Sequence, residues 1–497
     1  MFIQSIEWEN EDSLELFISN TIAESVLVEI FTPAIGDVDI ESFSKRIDPL
    51  SSQIFLLPDT LKAVGTGRSN RGLVLQASGP VTVHGFATWT AACGGFMAIP
   101  TDRLGYDYVA AAYRSNSVTE LGIVAADDNV QLAIVLPRQR EVSVFFEGVT
   151  YSSSGRNVIE NIVLAQHHTV QIQALDNGDL TGARVVAQGK VAVFSGNVET
   201  DVFFGTTDHV VEQLLPRGSM GTVYNLVPTP EDTTEGYYYK IISMESNNNI
   251  FIGGSNAAAS AFLENLGDQY EGLITSPTQI RAEREIMVVQ YTSGTASTDN
   301  PDRGDPTMFI VPPMQNYKNV FTFTVPVADL PSFRIHLLLT VPTEDLNTIL
   351  INQELVPSSG WTSIPSPVNT FASTVVTLTL TDGYFRVYSV DPSVEFAAVV
   401  YGYGSEQCAF AYPAGMCLEY SLSVSWYPSV KSNFGIVFLC LASYVLSVFL
   451  SVSLSLSLSP LSLSLPLAIL LSLFPRLSSV FTPLQRLYIV MFFSILL

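Results

Sequence analysis

The stretch RGLVLQASGPVTVHGF (71–86) recurs in altered form as TGARVVAQGKVAVFSG (181–196), PTQIRAEREIMVVQYTSG (277–294) and GYFRVYSVDPSVEFAAVVYGYG (383–404). Each copy alternates apolar and polar residues and is rich in Val, Ile, Phe and Tyr. This alternation and this composition are typical of half-buried β-strands. The four copies therefore predict that one β-rich unit occurs four times in the chain.

The copies align when Val81, Val191, Ile286 and Phe396 are taken as equivalent points. Their intervals of about 95 to 110 residues have the size of a domain, which is too long for one unit of a helical solenoid. A second phrase opens each unit as strand, polar turn and strand, for example LELFISNTIAESVLVEIF in the first. We expect an all-β chain of tandem β-sandwich-like repeats with seven or eight strands each. Their approximate limits are 1–105, 106–221, 222–318 and 319–418.

The relative placement of the repeats does not follow from their similarity. We expect a row or a compact cluster of sandwiches, because about 100 residues are too many for one four-stranded propeller blade. Helix is expected to be a minor component. The best helical pattern lies near Ala257 to Leu266.

Composition excludes several classes of protein. The chain has 497 residues, 47% of them hydrophobic, and 23 Lys+Arg against 47 Asp+Glu give a net charge of −24. Nucleic-acid binding needs a basic face, which this balance does not supply. The four cysteines match no zinc spacing and are too few for a disulfide framework. The motifs HExxH, GxSxG, CxxC and the P-loop are absent, so we expect neither an enzyme nor a cofactor.

The two ends of the sequence differ from the body. The first twenty residues lack the basic and apolar regions of a signal peptide, so we expect that this peptide is missing from the sequence. A linker (419–433) leads to a hydrophobic, low-complexity tail (434–497) that is long enough to span a membrane. The tail contains a Ser-Leu alternation, which a pyrimidine dinucleotide repeat encodes in either frame. The tail is therefore either mistranslated sequence or a transmembrane anchor.

Five phrases appear in a fixed order over residues 1–418: LTGARVVAQGKVAVFSGN, TTDHVVEQLLPRGSMGT, MVVQYTSG, GDPTMFIVPP and YGYGSEQCAFAYPAGM. In this order they resemble the N-terminal domain of the IgGFc-binding protein family. The sequence departs from the family in the stretch before DHVVEQ, where relatives usually carry a cysteine pair. In many relatives the domain is followed by cysteine-rich modules, and these are absent here.

The resemblance implies an extracellular, non-enzymatic module that binds other proteins in mucus or at the cell surface, with a role in innate defence. Its expected partners are extracellular or mucosal proteins and glycoproteins, and antibody Fc only by the family name. No nucleic acid is expected, and a membrane only if the tail is genuine. The alternative is a membrane-anchored cell-adhesion receptor, and a hydrolase is a third, weaker hypothesis.

Asp208, His209 and Glu212 of the DHVVEQ phrase form the one polar cluster that invites a chemical interpretation. Two carboxylates and an imidazole could hold a metal or perform acid–base chemistry. The alternative is structural, because buried polar groups normally satisfy hydrogen-bond partners. We favour the structural interpretation and expect these residues in a long connection between sandwiches.

Arg303, Gly304 and Asp305 form an RGD tripeptide on a predicted loop. Integrins read this tripeptide through the arginine cation and the aspartate carboxylate, so the loop is a candidate adhesion site. Gly304 and Asp305 also belong to the GDP phrase that the sequence shares with the family. A chance arginine at position 303 is therefore enough to create the tripeptide.

Cys408 and Cys417 are close enough in the sequence to form a local disulfide if the chain is exported. If they do, Cys93 is unpaired. The alternative is that Cys93 bridges to one of these two cysteines. Cys440 lies in the tail. The spacing leaves these pairings open.

Overall fold

The computed structural model describes residues 1–3, 13–33, 43–89, 92–114, 116–203, 205–230, 236–253, 259–294, 304–326, 334–366, 370–379, 383–404 and 408–418. Within these ranges nearly all regular structure is β-strand, and the prediction of an all-β chain of sandwich-like repeats is confirmed. Residues 1–423 belong to one compact unit. The predicted linker and the hydrophobic tail lie outside the described residues.

The first two repeats contain the following strands. The first has β1 Ser13–Asn20, β2 Val26–Phe31, β3 Phe43–Ile47, β4 Ser52–Leu57, β5 Gly67–Ser69, β6 Val74–Ala77, β7 Val81–Trp89 and β8 Ala92–Met97. The second has β9 Gly105–Val109, β10 Thr119–Ala125, β11 Val130–Val135, β12 Ser143–Phe146, β13 Val149–Ser152, β14 Val158–Leu164, β15 Thr169–Gln173, β16 Arg184–Asp201 and β17 Thr207–Gln213.

The last two repeats follow the same plan. The third has β18 Gly221–Leu226, β19 Tyr237–Ser243, β20 Asn248–Ile252, β21 Ala259–Leu263, β22 Gln269–Ile274, β23 Thr278–Tyr291 and β24 Met308–Ile310. The fourth has β25 Val320–Thr324, β26 Arg334–Pro342, β27 Ile349–Ile351, β28 Glu354–Leu355, β29 Thr362–Ile364, β30 Phe371–Thr377, β31 Tyr384–Ser389, β32 Ala397–Gly404 and β33 Cys408–Pro413. Short 3₁₀ turns lie at Asp59–Leu61, Thr101–Arg103, Met314–Asn316 and Thr343–Thr348.

Every repeat has an inner sheet with the same strand order. The four orders are β4-β1-β7-β8, β15-β10-β16-β17, β22-β19-β23-β24 and β30-β26-β32-β33. In each, the first strand of the second phrase (β1, β10, β19 or β26) pairs antiparallel with the strand of the recurring phrase, as Ile18 does with Val83 in the first repeat. The two phrases recognised in the sequence are thus neighbours in space.

The recurring phrase also connects the inner sheet to an outer sheet. In the second repeat, the first part of β16 pairs with β11 in the outer sheet and the later part pairs with β10 in the inner sheet. β23 does the same in the third repeat. In the first and fourth repeats the phrase is divided into two strands by segments that contain Pro80 or Pro392, because proline cannot donate to a ladder.

The last strands of the four inner sheets meet in the middle of the compact unit. We call β8, β17, β24 and β33 the central strands. β8 contacts β17 and β33, and β24 contacts the same two strands, so the repeats follow one another around a common centre. Of the two expected arrangements, the row is wrong, whereas the repeats do form a compact cluster. The expectation that the units do not form a propeller is corrected as well. The arrangement is propeller-like, with a two-sheet sandwich in place of each blade.

Neighbouring repeats share their hydrophobic cores. Separate clusters of buried side chains join the first repeat to the second, the second to the third, the third to the fourth, and the fourth back to the first. Aromatic pairs mark three of these boundaries: Phe96 with Phe194 at 5.1 Å, Tyr113 with Tyr291 at 5.3 Å, and Phe86 with Phe410 at 5.0 Å between ring centroids. A single repeat therefore cannot bury its apolar surface by itself.

The best helical pattern of the sequence, near Ala257 to Leu266, is not helical where the structure describes it. Ala259–Leu263 forms β21, which pairs antiparallel with β20, and Ala257 lies outside the described residues. Pairing with a neighbouring strand overrides the high helix propensity of the alanines. The helix expected at this place is corrected to a strand.

Two tyrosine hydroxyls fix the entry of the chain into the second and third repeats. The hydroxyl of Tyr108 accepts a hydrogen bond from the Gly105 N–H at 2.8 Å and donates to the Val191 carbonyl at 2.6 Å. Tyr224 bridges the Gly221 N–H and the Ile286 carbonyl in the same way. Val191 and Ile286, whose carbonyls accept these bonds, are two of the four equivalent points of the recurring phrase. The Gly-x-x-Tyr spacing at the start of both repeats therefore indicates this bridge, although it was not recognised from the sequence.

We expect Tyr108→Phe and Tyr224→Phe each to lower the free energy of unfolding by about 1 to 2 kcal/mol, because each leaves a buried donor and acceptor without its partner. Urea denaturation of the full chain measures this loss. Tyr106→Phe is the matched control, since Tyr106 is 39% exposed. An equal loss in all three variants would contradict the bridging role.

Candidate functional site

The DHVVEQ phrase lies in the central strand β17 and not in a connection between sandwiches. Successive side chains of a strand point to opposite faces. Asp208 and Glu212 therefore lie on one face and His209 on the other, which prevents a cluster of the three. Among the described residues, no group of three or more His, Cys, Asp or Glu side chains could hold a metal ion. The three side chains therefore do not come together as a metal or acid–base centre would require.

The free edges of the central strands carry backbone N–H groups that need hydrogen-bond acceptors, and side chains of β17 supply several of them. Each is the edge strand of its own inner sheet, and within the described parts of the chain none forms a ladder with another. The centre is buried, so the N–H groups at these edges need partners other than water. Side chains that reach across the centre supply them.

The carboxylate of Asp208 binds strands from the first and the last repeat at once. Oδ1 accepts the N–H of Cys93 in β8 at 2.6 Å and that of His209 at 2.7 Å, and Oδ2 accepts the N–H of Ala409 in β33 at 3.0 Å. The side chain is completely buried. Burial, and then the nearby charge of Asp305, raise the pKa of Asp208 well above its usual range.

Three further side chains complete the bonding between the central strands. Oε1 of Glu212 accepts the N–H of Ile310 in β24 at 3.4 Å. Oε1 of Gln213 accepts the N–H of Ile99, just after β8, at 3.1 Å. Thr307, just before β24, accepts the N–H of Ala411 in β33 through its hydroxyl at 3.1 Å. Burial raises the pKa of Glu212 well above its usual range.

His209 has a structural role on the opposite face of β17. Its Nδ1 lies 2.9 Å from the Asn197 carbonyl and 3.2 Å from the Val198 carbonyl, so the ring is held by donation to the backbone. Burial lowers the pKa of His209 to about 4, which keeps the imidazole neutral. Gly94 makes room for the ring, because a Cβ at that position would lie 2.7 Å from His209 Cδ2.

The described part of the RGD tripeptide is not an accessible loop. Asp305 is only 1% exposed. Its Oδ1 accepts a hydrogen bond from the hydroxyl of Thr206, and its carbonyl accepts one from Thr292 at 2.6 Å. Arg303 lies outside the described residues. An integrin needs an accessible carboxylate, so the burial of Asp305 removes the basis of the proposed adhesion loop.

The disulfide joins Cys93 in β8 to Cys408 in β33, with their Cα atoms 5.2 Å apart. The local pairing of Cys408 with Cys417 is therefore wrong. Cys417 is exposed and lies after the end of β33, where its N–H donates to the Asn316 carbonyl. The two bonded cysteines are brought together because their strands are adjacent at the centre, beside the Asp208 carboxylate.

A buried lysine joins the second repeat to the third, and the sequence analysis overlooked it. Nζ of Lys240 donates to the Ala112 carbonyl at 2.7 Å and lies 3.6 Å from Asp179 and 3.5 Å from Glu271. Arg140 binds the same Glu271 at 2.7 Å. The signal in the sequence is a single charge within the apolar strand YYYKIIS. The network satisfies a buried cation at the boundary of two repeats.

The outer sheet of the third repeat exposes two aromatic rings on one face. Phe251 is 37% and Phe262 58% exposed, and their strands β20 and β21 pair so that the two rings are diagonal neighbours. The guanidinium of Arg281 lies 5.8 Å from the Phe251 ring centroid. We call Phe251, Phe262 and Arg281 the outer patch. Aromatic and arginine side chains of this kind are enriched where proteins bind other proteins.

The described residues contain no helix that is long and apolar enough to cross a membrane. The hydrophobic tail, on which the hypothesis of an anchor depends, lies outside them.

We expect Asp208→Asn to lower the free energy of unfolding by about 2 to 4 kcal/mol, because an amide cannot accept all three N–H groups and one buried donor is left unpaired. Urea denaturation followed by tryptophan fluorescence measures the loss. Asp48→Asn removes an exposed carboxylate of the first repeat and is expected to change stability by less than about 0.5 kcal/mol. A similar effect of both substitutions would contradict the role of Asp208.

The stability of the chain is expected to depend on pH through Asp305. Burial raises the pKa of Asp305 from 3.8 to about 7. The folded chain then holds a proton that the unfolded chain has released, so this contribution is complete below about pH 4 and is lost as the pH rises through about 7. Asp305→Asn should make the decline in the urea midpoint between these pH values smaller. An unchanged decline would show that Asp305 does not titrate in this way.

Comparison with known proteins agrees with the sequence phrases. The family described as "IgGFc binding protein" matches residues 94–402, which is more than half of the chain. The IgGFc-binding protein of Homo sapiens is 24% identical over 363 residues, which cover 72% of this chain and 6% of that protein. The chain thus spans only a small part of the length of this relative.

Solved structures with some similarity to the chain include an anti-sigma factor domain-containing protein and one with the same description from Clostridium clariflavum. They are 10% and 9% identical, cover 80% of this chain and 99% of their own, and have TM-scores of 0.12 and 0.11. Scores of this size carry no argument about the fold. On the match over residues 94–402, the chain belongs to the IgGFc-binding protein family.

Proposed function

We propose that this chain is a non-enzymatic, extracellular module that binds other proteins. The observation that carries the proposal is the outer patch, in which two exposed aromatic rings and an arginine lie on one sheet face. The polar residues that could have served chemistry, Asp208 and Glu212, are buried and bonded to backbone N–H groups of other repeats. Family membership supports a binding role, because the family is named for binding.

An extracellular location is supported by the covalent bond at the centre. Disulfides persist in oxidising compartments and are rare in the cytosol. Cys93 and Cys408 are both buried, so their bond is a structural one. We place the module in mucus or at the cell surface, with a contribution to innate defence.

The charge of the chain indicates the chemistry of its partners. A net charge of −24 favours proteins with basic surfaces and speeds their encounter at low salt. Extracellular and mucosal proteins and glycoproteins are the proposed partners, and antibody Fc is included because the family and its human member carry that name. A membrane-anchored RGD receptor is not supported, since Asp305 is buried.

The test uses the immobilised full chain with an IgG Fc fragment, a purified mucin and a basic secreted protein as probes, in interferometry at physiological salt. We expect at least one probe to bind, and Phe251→Ala with Phe262→Ala to weaken it about tenfold or more, as loss of aromatic anchors does. Leu355→Ala is the matched control, since Leu355 is 55% exposed in the fourth repeat.

Failure of all three probes to bind would remove the proposed partners. Equal weakening by Leu355→Ala and by the aromatic double variant would remove the outer patch as the contact surface.

A further inference from the structure

A lysine amine and an aspartate carboxyl face each other, buried, at the boundary between the second and third repeats. Nζ of Lys240 lies 3.6 Å from Oδ2 of Asp179, and the two side chains are only 0% and 2% exposed. Within the described part of the chain, Oδ2 of Asp179 accepts no hydrogen bond. A buried ion pair normally needs direct hydrogen bonds to offset its loss of hydration. Ion pairing at this distance therefore leaves Oδ2 poorly satisfied.

Thr181 holds both of these side chains in place. Its N–H donates to Oδ1 of Asp179 at 2.9 Å, and its hydroxyl oxygen accepts a hydrogen bond from Nζ of Lys240 at 3.2 Å. The strand of Lys240, β19, is paired on one side with β22 and on the other with β23. The amine and the carboxyl are thus held close to the separation of about 3 to 3.5 Å from which reacting groups combine.

Glu271 lies directly opposite Lys240 in the ladder of β19 and β22. Its Oε1 lies 3.5 Å from Nζ of Lys240 and accepts a hydrogen bond from Arg140 at 2.7 Å. A carboxylate in this position can take a proton from the amine and pass it on. The side chain of Glu271 is 28% exposed, so a small product can leave the site on its side.

Positive charge lies beside the carboxyl of Asp179. Nε of Arg140 is 3.8 Å from Oδ2, and the Thr181 N–H is bonded to Oδ1. When an amine adds to a carboxyl carbon, negative charge develops on the carboxyl oxygens, and a cation and a fixed N–H stabilise that charge. The site therefore contains a nucleophile, an electrophile, a proton relay and a stabilised oxyanion position.

We propose that Lys240 and Asp179 condense to form an isopeptide bond, which joins the second repeat covalently to the third. Nζ adds to Cγ of Asp179, two protons pass from Nζ through Glu271 to Oδ2, the Cγ–Oδ2 bond breaks and water leaves. The ammonium and the carboxylate together contain all the atoms of one amide and one water molecule. No oxidant or activating group is needed, and Glu271 is unchanged at the end. This inference does not depend on the proposed function.

Removal of two buried charges favours this condensation. Burial opposes the charge of Asp179, but the charge of Lys240 and the hydrogen bonds from Thr181 hold the pKa of Asp179 below its usual value. The pair is therefore ionic before the reaction. The amide that replaces it is neutral, which removes the cost of keeping two charges out of water. Burial also keeps bulk water from hydrolysing the bond.

Mass spectrometry of the reduced and denatured full chain tests the bond. We expect the chain to be lighter than its sequence by one water molecule. A tryptic digest should contain residues 157–184 linked to residues 218–281, because trypsin does not cleave after a modified Lys240. Ordinary cleavage after Lys240 with no linked peptide, or a loss of water confined to other peptides, would overturn the inference.

Variants of nearly the same shape test the chemistry. Asp179→Asn should give the same linked peptides with loss of ammonia in place of water, because the leaving group is then an amide nitrogen. Glu271→Gln cannot relay protons and should form the bond at least about a hundredfold more slowly, so that freshly purified chain is mostly unlinked.

Lysine variants complete the test. Lys240→Met removes the nucleophile and should give an unlinked chain of full mass. Lys190→Met is the matched control, since Nζ of Lys190 donates only to the carbonyls of Thr101 and Asp102, and it should leave the bond unchanged. Loss of the same water molecule in Lys240→Met would overturn the inference, and linkage at the original rate in Glu271→Gln would overturn the role of Glu271.

Discussion

The buried N–H groups at the edges of the four central strands are the constraint on which this fold depends. Each central strand completes its own inner sheet, and its free edge faces the buried middle of the protein. Asp208 resolves the problem for two repeats at once, since one carboxylate accepts N–H groups from β8 and β33. Glu212 extends the same solution to β24. The polar residues of the DHVVEQ phrase, which resemble a catalytic cluster in the sequence, thus serve as hydrogen-bond acceptors for buried backbone N–H groups.

The shared cores follow from this arrangement. Because the central strands lie side by side, each inner sheet packs against those of its two neighbours, and the apolar clusters form across the boundaries. The boundary between the second and third repeats also contains Lys240, whose buried cation is paired across it. The repeats have diverged in the connection between their two sheets, where β16 is continuous and β6 and β7 are separated at Pro80. The pairing order of the inner sheets is unchanged by these differences.

Much of the local structure could be predicted from the sequence, and much of the central site could not. Period-two alternation and the recurring phrase indicate strands, because both depend only on neighbours along the chain. Which strand edges meet depends on contacts between residues far apart in the sequence. The pairing of Cys408 with Cys93 and the burial of Asp305 arise at such contacts. The short spacing suggested a bond from Cys408 to Cys417 instead, and the predicted loop suggested an exposed RGD tripeptide. The sequence does indicate the outer patch. Ile250 and Ile252 alternate with Phe251 in β20, so Phe251 falls at a position where the alternation predicts an exposed, polar residue.

The Cys93–Cys408 bond has a mechanical consequence for a chain that is held by its ends. Its partners are 315 residues apart in the sequence. Tension applied between the termini passes along the chain to Cys93, crosses the sulfur atoms and continues from Cys408. The second and third repeats and most of the fourth therefore bear no load while the bond is intact. Reduction would place that segment under tension and release roughly 1,000 Å of extendable chain.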